Sequence, residues 1–128
     1  MRGIQIQDSS SGVKVSSLAV ENETVPAVAS TPGWHVLCDV SVIVSSNVSL
    51  EVVGRVSSAG LTMNARLFDY SSAAAVASSS VAITATSDDT QTSSAVALVE
   101  GNIYQIQVEV VGGADAANFG TVTSATLV

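Results

Sequence analysis

The chain has 128 residues, four basic against 11 acidic side chains, and a net charge of −7. Its length suits one domain with a core of its own, and its sparse, scattered basic residues exclude a nucleic-acid surface, which needs clustered Lys and Arg to displace counterions. One cysteine excludes an internal disulfide, and no zinc pattern can be built from Cys38 and His35 alone.

The start, MRGIQIQDSSSG, lacks the apolar stretch of a secretory signal, and no run reaches the ~18 apolar residues of a membrane span. The expectation is a soluble protein made in the cytoplasm, with no membrane partner. Charged residues make up 12%, hydrophobic residues 47% and aromatic residues 4%. Val, Ala, Ser and Thr supply the bulk. A surface built from them is smooth and weakly charged, which suits cover by neighbours.

Val and Thr are stiff at χ1 and favour pleated surfaces, and period-2 alternation recurs along the chain. Ile4 and Ile6 alternate with Gln5 and Gln7 before the turn DSSSG. Val13 and Val15 are followed in the opposite phase by Leu18 and Val20, which predicts a bulge near Ser16–Ser17. Pro26 makes the next extended piece an edge strand or a loop. In the run 34–44, Trp34, Val36, Cys38, Val40, Val42 and Val44 share one face, with Trp34 the largest expected contributor to the core. His35, Leu37, Asp39, Ser41 and Ile43 share the other.

Ser45–Asn47 reads as a tight hairpin turn into a strand over 48–56, with Val48, Leu50, Val52 and Val56 inward. A turn at 57–60 leads to a strand over 61–70, with Leu61, Met63, Ala65 and Leu67 inward. The segment SSAAAVASSS (71–80) is rich enough in Ala for a helix, but its length and flanking Ser residues favour an irregular excursion. Strands follow over 81–86, 94–99, 103–111 and 121–128, with turns at SDDT and Glu100–Asn102 and a loop over GGADAANFG. Eight or nine strands with little helix predict an all-β fold: a two-sheet antiparallel sandwich, with a jelly roll preferred and an immunoglobulin-like sandwich second. Residues 1–12 read as a flexible N-terminal arm and 13–128 as a single β-sandwich domain.

The stretch GWHVLCD (33–39) holds the only Trp, His and Cys. A cysteine nucleophile needs its histidine base at ~3 Å. In a regular strand His35 and Cys38 leave opposite faces, and His35 and Asp39 lie roughly 13 Å apart on one face. No catalytic residue is assigned on this ground, and no enzyme activity is expected. The loop carboxylates Asp69, Asp88, Asp89 and Asp115 are available for acid–base work or Ca²⁺. SDDT lacks the spaced ligands of a calcium loop, so no metal or cofactor is assigned. Among the aromatic residues, Phe68 and Tyr70 fall on the polar face of their strand, which makes them the candidate glycan or partner contact. Packing beneath the Ala-rich excursion is the competing role for that pair.

The phrases LTMNARLFD, VAITAT, SSAVALVEGNIYQIQVEV and FGTVTSATLV resemble the jelly-roll structural proteins of tailed-bacteriophage virions, which include capsid decoration or cement proteins and related fibre domains. The resemblance covers about residues 61–128 and rests on strand phrasing alone. It implies a non-enzymatic virion protein, assembled in a bacterial cytoplasm, that self-associates as a homotrimer. It would stabilise the shell by adhering to the major capsid protein or other virion subunits. Carbohydrate or receptor binding on a tail fibre is the alternative it leaves open. It transfers no functional residue, because such proteins bind through surfaces.

Overall fold

A computed structural model describes the backbone of residues 2–9, 12–15, 20–26, 34–42, 45–112 and 118–128, and the side chains of 34–42, 45–112 and 118–128. In chain order the strands are β1 (Arg2–Ser9), β2 (Gly12–Val15), β3 (Val20–Pro26), β4 (His35–Val42), β5 (Ser46–Val48), β6 (Leu50–Val56) and β7 (Thr62–Asp69). They continue as β8 (Ala74–Ala75), β9 (Val81–Ile83), β10 (Asp89–Thr92), β11 (Val96–Leu98), β12 (Ile103–Val111) and β13 (Phe119–Leu127).

Eight of these strands pair from the ends of the chain inward. β3 pairs β13, β4 pairs β12, β6 pairs β10 and β7 pairs β9, all antiparallel. That nesting is the wrapped ribbon of a jelly roll. It resolves into two sheets, ordered β3–β13–β6–β10 and β4–β12–β7–β9. The first is the smaller sheet. The second carries extra strands, with β8 beside β7 and the β1–β2 hairpin beyond β4. β1 runs parallel to β4, with Ile4 in register with Val40 and Ile6 with Val42. β5 and β11 form a separate two-stranded piece. β3 is an edge strand that ends at Pro26, where the missing N–H costs the sheet no ladder bond.

Alternation explains the core. Leu50, Val52 and Val56 from the smaller sheet meet Met63, Ala65, Leu67, Tyr104, Ile106, Val108 and Val110 from the larger one, all buried. Met63 fills a hole that only glycine leaves open. A Cβ on Gly54 would lie 2.7 Å from its Cε and 2.5 Å from the Thr121 carbonyl oxygen, and one on Gly120 would lie 2.7 Å from its Sδ. Both glycines belong to the smaller sheet, so they let the two layers close around a flexible thioether. The Tyr104 hydroxyl, carried into this core, accepts from the Val99 backbone N–H at 3.0 Å.

The Ala-rich segment after β7 is an irregular excursion containing β8. Ser79 is fully buried there: its Oγ accepts from the Leu67 N–H at 3.0 Å and donates to the Val76 carbonyl at 2.7 Å. Ala73 and Ser78 take positive φ, 54° and 66°, which a continuous helix forbids.

Four local expectations are corrected. Ser46 and Asn47 belong to β5 and not to a hairpin turn, because β4 and β6 lie in different sheets and the connection crosses between them. Asp89 and Thr90 start β10 and pair with Gly54 and Val53, so SDDT is only partly a turn. Phe119 and Gly120 open β13 and not the preceding loop. The fourth concerns β4. Cys38 is opposite Ile106, but Val36 is opposite Gln107, so Leu37 is an extra residue in a β-bulge. The bulge reverses the phase of everything before it. Leu37 packs against the core, Val36 is exposed, His35 comes opposite the buried Val108, and Trp34 is half-buried on the outer face instead of anchoring the core. The expected bulge at Ser16–Ser17, and Ile43, Val44 and Asp115, lie outside the described residues.

Candidate functional site

The larger sheet has one face in the core and one outward. On the outward face, β12 contributes Ile103, Gln105, Gln107 and Glu109. Gln105 is opposite Phe68 of β7 on one side and Asp39 of β4 on the other. Gln107 is likewise opposite Arg66 and Val36. A polar ladder therefore crosses three strands. Arg66 Nε donates to Gln107 Oε1 at 2.9 Å, Gln107 Nε2 to Gln105 Oε1 at 3.0 Å, and Gln105 Nε2 to Asp39 Oδ1 at 3.4 Å.

The bulge delivers Trp34 to the same face, and there it meets Arg66. The guanidinium carbon lies 3.8 Å from the Trp34 ring centroid and 5.3 Å from that of Phe68. Both distances are within cation–π range. Gln107 is buried, although it belongs to the outward face. The stack and the ladder fix the guanidinium in position and orientation.

The two aromatic residues singled out on this strand have separate fates. Phe68 is half-buried beside Arg66, opposite Ala75 of β8. Tyr70 is 57% exposed at the strand's end, where its backbone N–H bonds to the Ile103 carbonyl. Ile103 is 46% exposed beside it, and Val99, in the turn before β12, is 52% exposed. Arg66 and Trp34 were not singled out in the sequence as partners. Only the phase reversal at Leu37 brings them together, and one extra residue leaves no compositional signal.

Two other features complete the surface. Asp88 ties together the outer face of the smaller sheet: its Oδ1 accepts from Arg55 of β6 at 2.9 Å and from the Thr123 hydroxyl of β13 at 3.0 Å. These bonds, the Arg55 one first, hold its carboxyl below the ordinary aspartate value. Thr123 is itself the bulged residue of β13, between Val122 opposite Gly54 and Ser124 opposite Val53. Nearby, an open groove of about 260 Å³ is lined by Arg55, Val56, Ser57, Thr86, Phe119 and Thr121.

The bulge overturns the argument that His35 and Cys38 leave opposite sides of the sheet, since both now lie on the core side. It does not assemble an active site. Cys38 is 0% exposed, so no substrate reaches its thiol. His35 Nε2 is buried with no hydrogen-bond partner among the described residues. Asp69 accepts from the Ser72 N–H of the turn after β7 and from Asn102, and Asp89 accepts from Gln91 within β10, so these carboxylates are engaged in local structure. Among the described residues no three His, Cys, Asp or Glu side chains converge as a metal site.

No protein family and no curated protein matches the chain in sequence. Solved structures do match in fold. The crystal structure of the infectious bursal disease virus VP2 subviral particle superimposes with a TM-score of 0.56 at 14% identity, over 84% of this chain and 29% of that one. The structure of infectious bursal disease virus Gt strain gives 0.51 at 15% identity, over 95% of this chain and 36% of that one. The chain thus spans about a third of the length of the structures it matches. At such identities the likeness concerns architecture: the chain has an all-β jelly roll similar to those of viral capsid proteins.

Proposed function

We propose that the protein is a non-enzymatic structural component of a virion that works by adhesion. In the finer reading it is a decoration or cement protein of a tailed-bacteriophage capsid. It associates with its own copies, with a trimer expected, and covers junctions between subunits of the major capsid protein. For residues 1–12 to serve as an arm that grips the shell or a neighbour, β1 would have to leave its place beside β4 and β2. The observation that supports this reading is a jelly roll similar to that of a virus protein solved as a subviral particle. Exposed Val36, Tyr70, Val99 and Ile103 on a weakly charged chain supply the kind of surface that neighbours cover. Each subunit boundary so covered adds buried area that rupture of the shell must expose. Co-sedimentation with undecorated capsids tests this directly. Binding that saturates at a fixed ratio is expected, and a protein that stays in the supernatant at every salt concentration refutes the decoration role.

One observation favours a second reading, a carbohydrate-binding module of a tail fibre. The groove beside Phe119 combines an aromatic edge with the hydroxyls of Ser57, Thr86 and Thr121 and the guanidinium of Arg55. Apolar ring faces and hydroxyl-directed hydrogen bonds are what a sugar requires. On this reading Phe119→Ala abolishes glycan-array binding and leaves the fold intact. Tyr70→Ala and Phe68→Ala test the aromatic pair on the larger sheet in the same way. An array with no hits removes the reading.

A further inference from the structure

Arg66 is positioned more tightly than a surface cation needs to be. Its Nε–H is committed to Gln107, its plane lies against Trp34, and Phe68 closes a further side. The guanidinium has five N–H donors, and one is used. Among the described residues, none accepts from the two terminal nitrogens and no carboxylate pairs with Arg66. Arg55, by contrast, is ion-paired with Asp88. The result is a rigid, planar fork with no carboxylate partner among the described residues, on a sheet face that also exposes Val36 two strands away and, toward the other end of β7, Tyr70 and Ile103. That geometry matches a carboxylate bidentately, and its side-chain ordering cost is already met within the monomer.

The chain also offers a matching anion. Asp39, Glu51, Asp69, Asp88, Asp89 and Glu109 all accept side-chain or backbone hydrogen bonds. Glu100 is the described acid whose carboxylate has no partner among the described residues. It is exposed in the turn between β11 and β12, next to Val99. Its own backbone N–H is held by Ser45 Oγ at 2.8 Å, so the turn that presents it is ordered. We propose that the Arg66 fork of one copy receives the Glu100 carboxylate of a second copy, with Val99 packing against the apolar side chains of the same face. The proposal rests on the self-association put forward above and names its contact. One fork and one open carboxylate per copy are both satisfied in a two-fold dimer or in a closed ring. The charge balance of −7 favours such a pair, because uncompensated copies repel and a fixed cation at the contact offsets that repulsion locally.

The experiment is a charge swap read by sedimentation velocity and light scattering across a concentration series, at low and high salt. Wild type associates. Arg66→Glu and Glu100→Arg each weaken association by about tenfold or more, and the double variant restores it. Arg66→Lys keeps the charge, loses the planar fork and also weakens association. Glu100 is exposed, so its variant folds even if a change at Arg66 perturbs the sheet. Far-UV circular dichroism and thermal melting check the fold of each variant. Association unchanged in both single variants, or a double variant no better than either, overturns this contact and leaves self-association standing. A wild type that is monomeric at every concentration removes self-association itself. Binding of an acidic glycan that depends on Arg66, by a chain that stays monomeric, assigns the fork to a different occupant.

Discussion

Met63 is held by what its neighbours lack. A methyl group on Gly120 would lie 2.7 Å from its sulfur and 2.9 Å from Val110 Cγ2, too close for either to stay where it is. Gly120→Ala is therefore expected to lower stability by about 1–3 kcal/mol, the usual cost of overpacking, measured as a shift in urea midpoint at constant slope. Asp88 makes a different kind of prediction. Its carboxyl is held below the ordinary aspartate value by Arg55 first and Thr123 second. Its contribution is thus fully present above the unfolded-state pKa and is lost as pH falls through the lowered native one. The stability gap between wild type and Asp88→Asn should be constant near neutral pH and shrink in that acidic window. A gap that persists after Asp88 is protonated would mean that packing carries it, and not charge. At this scale the sequence was partly legible. Cys38 was expected in the core and lies there fully buried. Trp34, four residues away, was placed in the core and is outside it, because a face assignment fails for every residue beyond an unseen bulge.

The bulge at Leu37 shows how one extra residue sets the character of a whole element. Without it, β4 would carry Trp34 and Val36 into the core and place His35 and Leu37 outside. With it, an aromatic ring reaches the outer face, and Arg66 gains its platform. Deleting Leu37 is expected to return the strand to simple alternation, break the Trp34–Arg66 stack and destabilise the fold, since the larger sheet would have to take in an indole. The chain's single Trp makes this visible: Arg66→Ala should shift Trp34 emission to the red by uncovering the ring, and the deletion should shift it to the blue or unfold the protein. Strands β6, β7 and β12 were legible because their inward residues keep one phase from end to end on the core face. The pair β5–β11 was half legible. A strand was expected over 94–99 and its middle forms β11, whereas Ser46–Asn47 reads as a turn, and only pairing across the molecule makes it a strand.

At the scale of the molecule, nested pairing makes almost every stabilising contact non-local. β3 pairs with β13 and β4 with β12, each across most of the described chain. Closing such loops is entropically expensive before any pairing offsets it, so refolding from denaturant is expected on the scale of ~milliseconds to seconds. Microsecond refolding by stopped-flow or temperature jump would contradict this topology. The jelly roll was legible from strand count and turn spacing, because sandwiches repeat short alternating strands at short intervals. The order of pairing was not, because alternation marks which side of a strand is buried and says nothing about which strand lies beside it.

The central place of β13 has a consequence for synthesis. It lies between β3 and β6, and its residues Gly120, Val122, Ala125 and Leu127 line the core, all buried. On a ribosome adding ~5–20 residues per second, β3 and β6 emerge well before the strand that joins them. Through that interval there is a strand-wide gap beside β6, and β3, whose sheet partner among the described strands is β13, is unpaired. A β13 strand from another nascent chain could fill that gap as well as the chain's own. Neighbouring ribosomes on one message would then supply intertwined copies directly, before any finished monomer had to be opened.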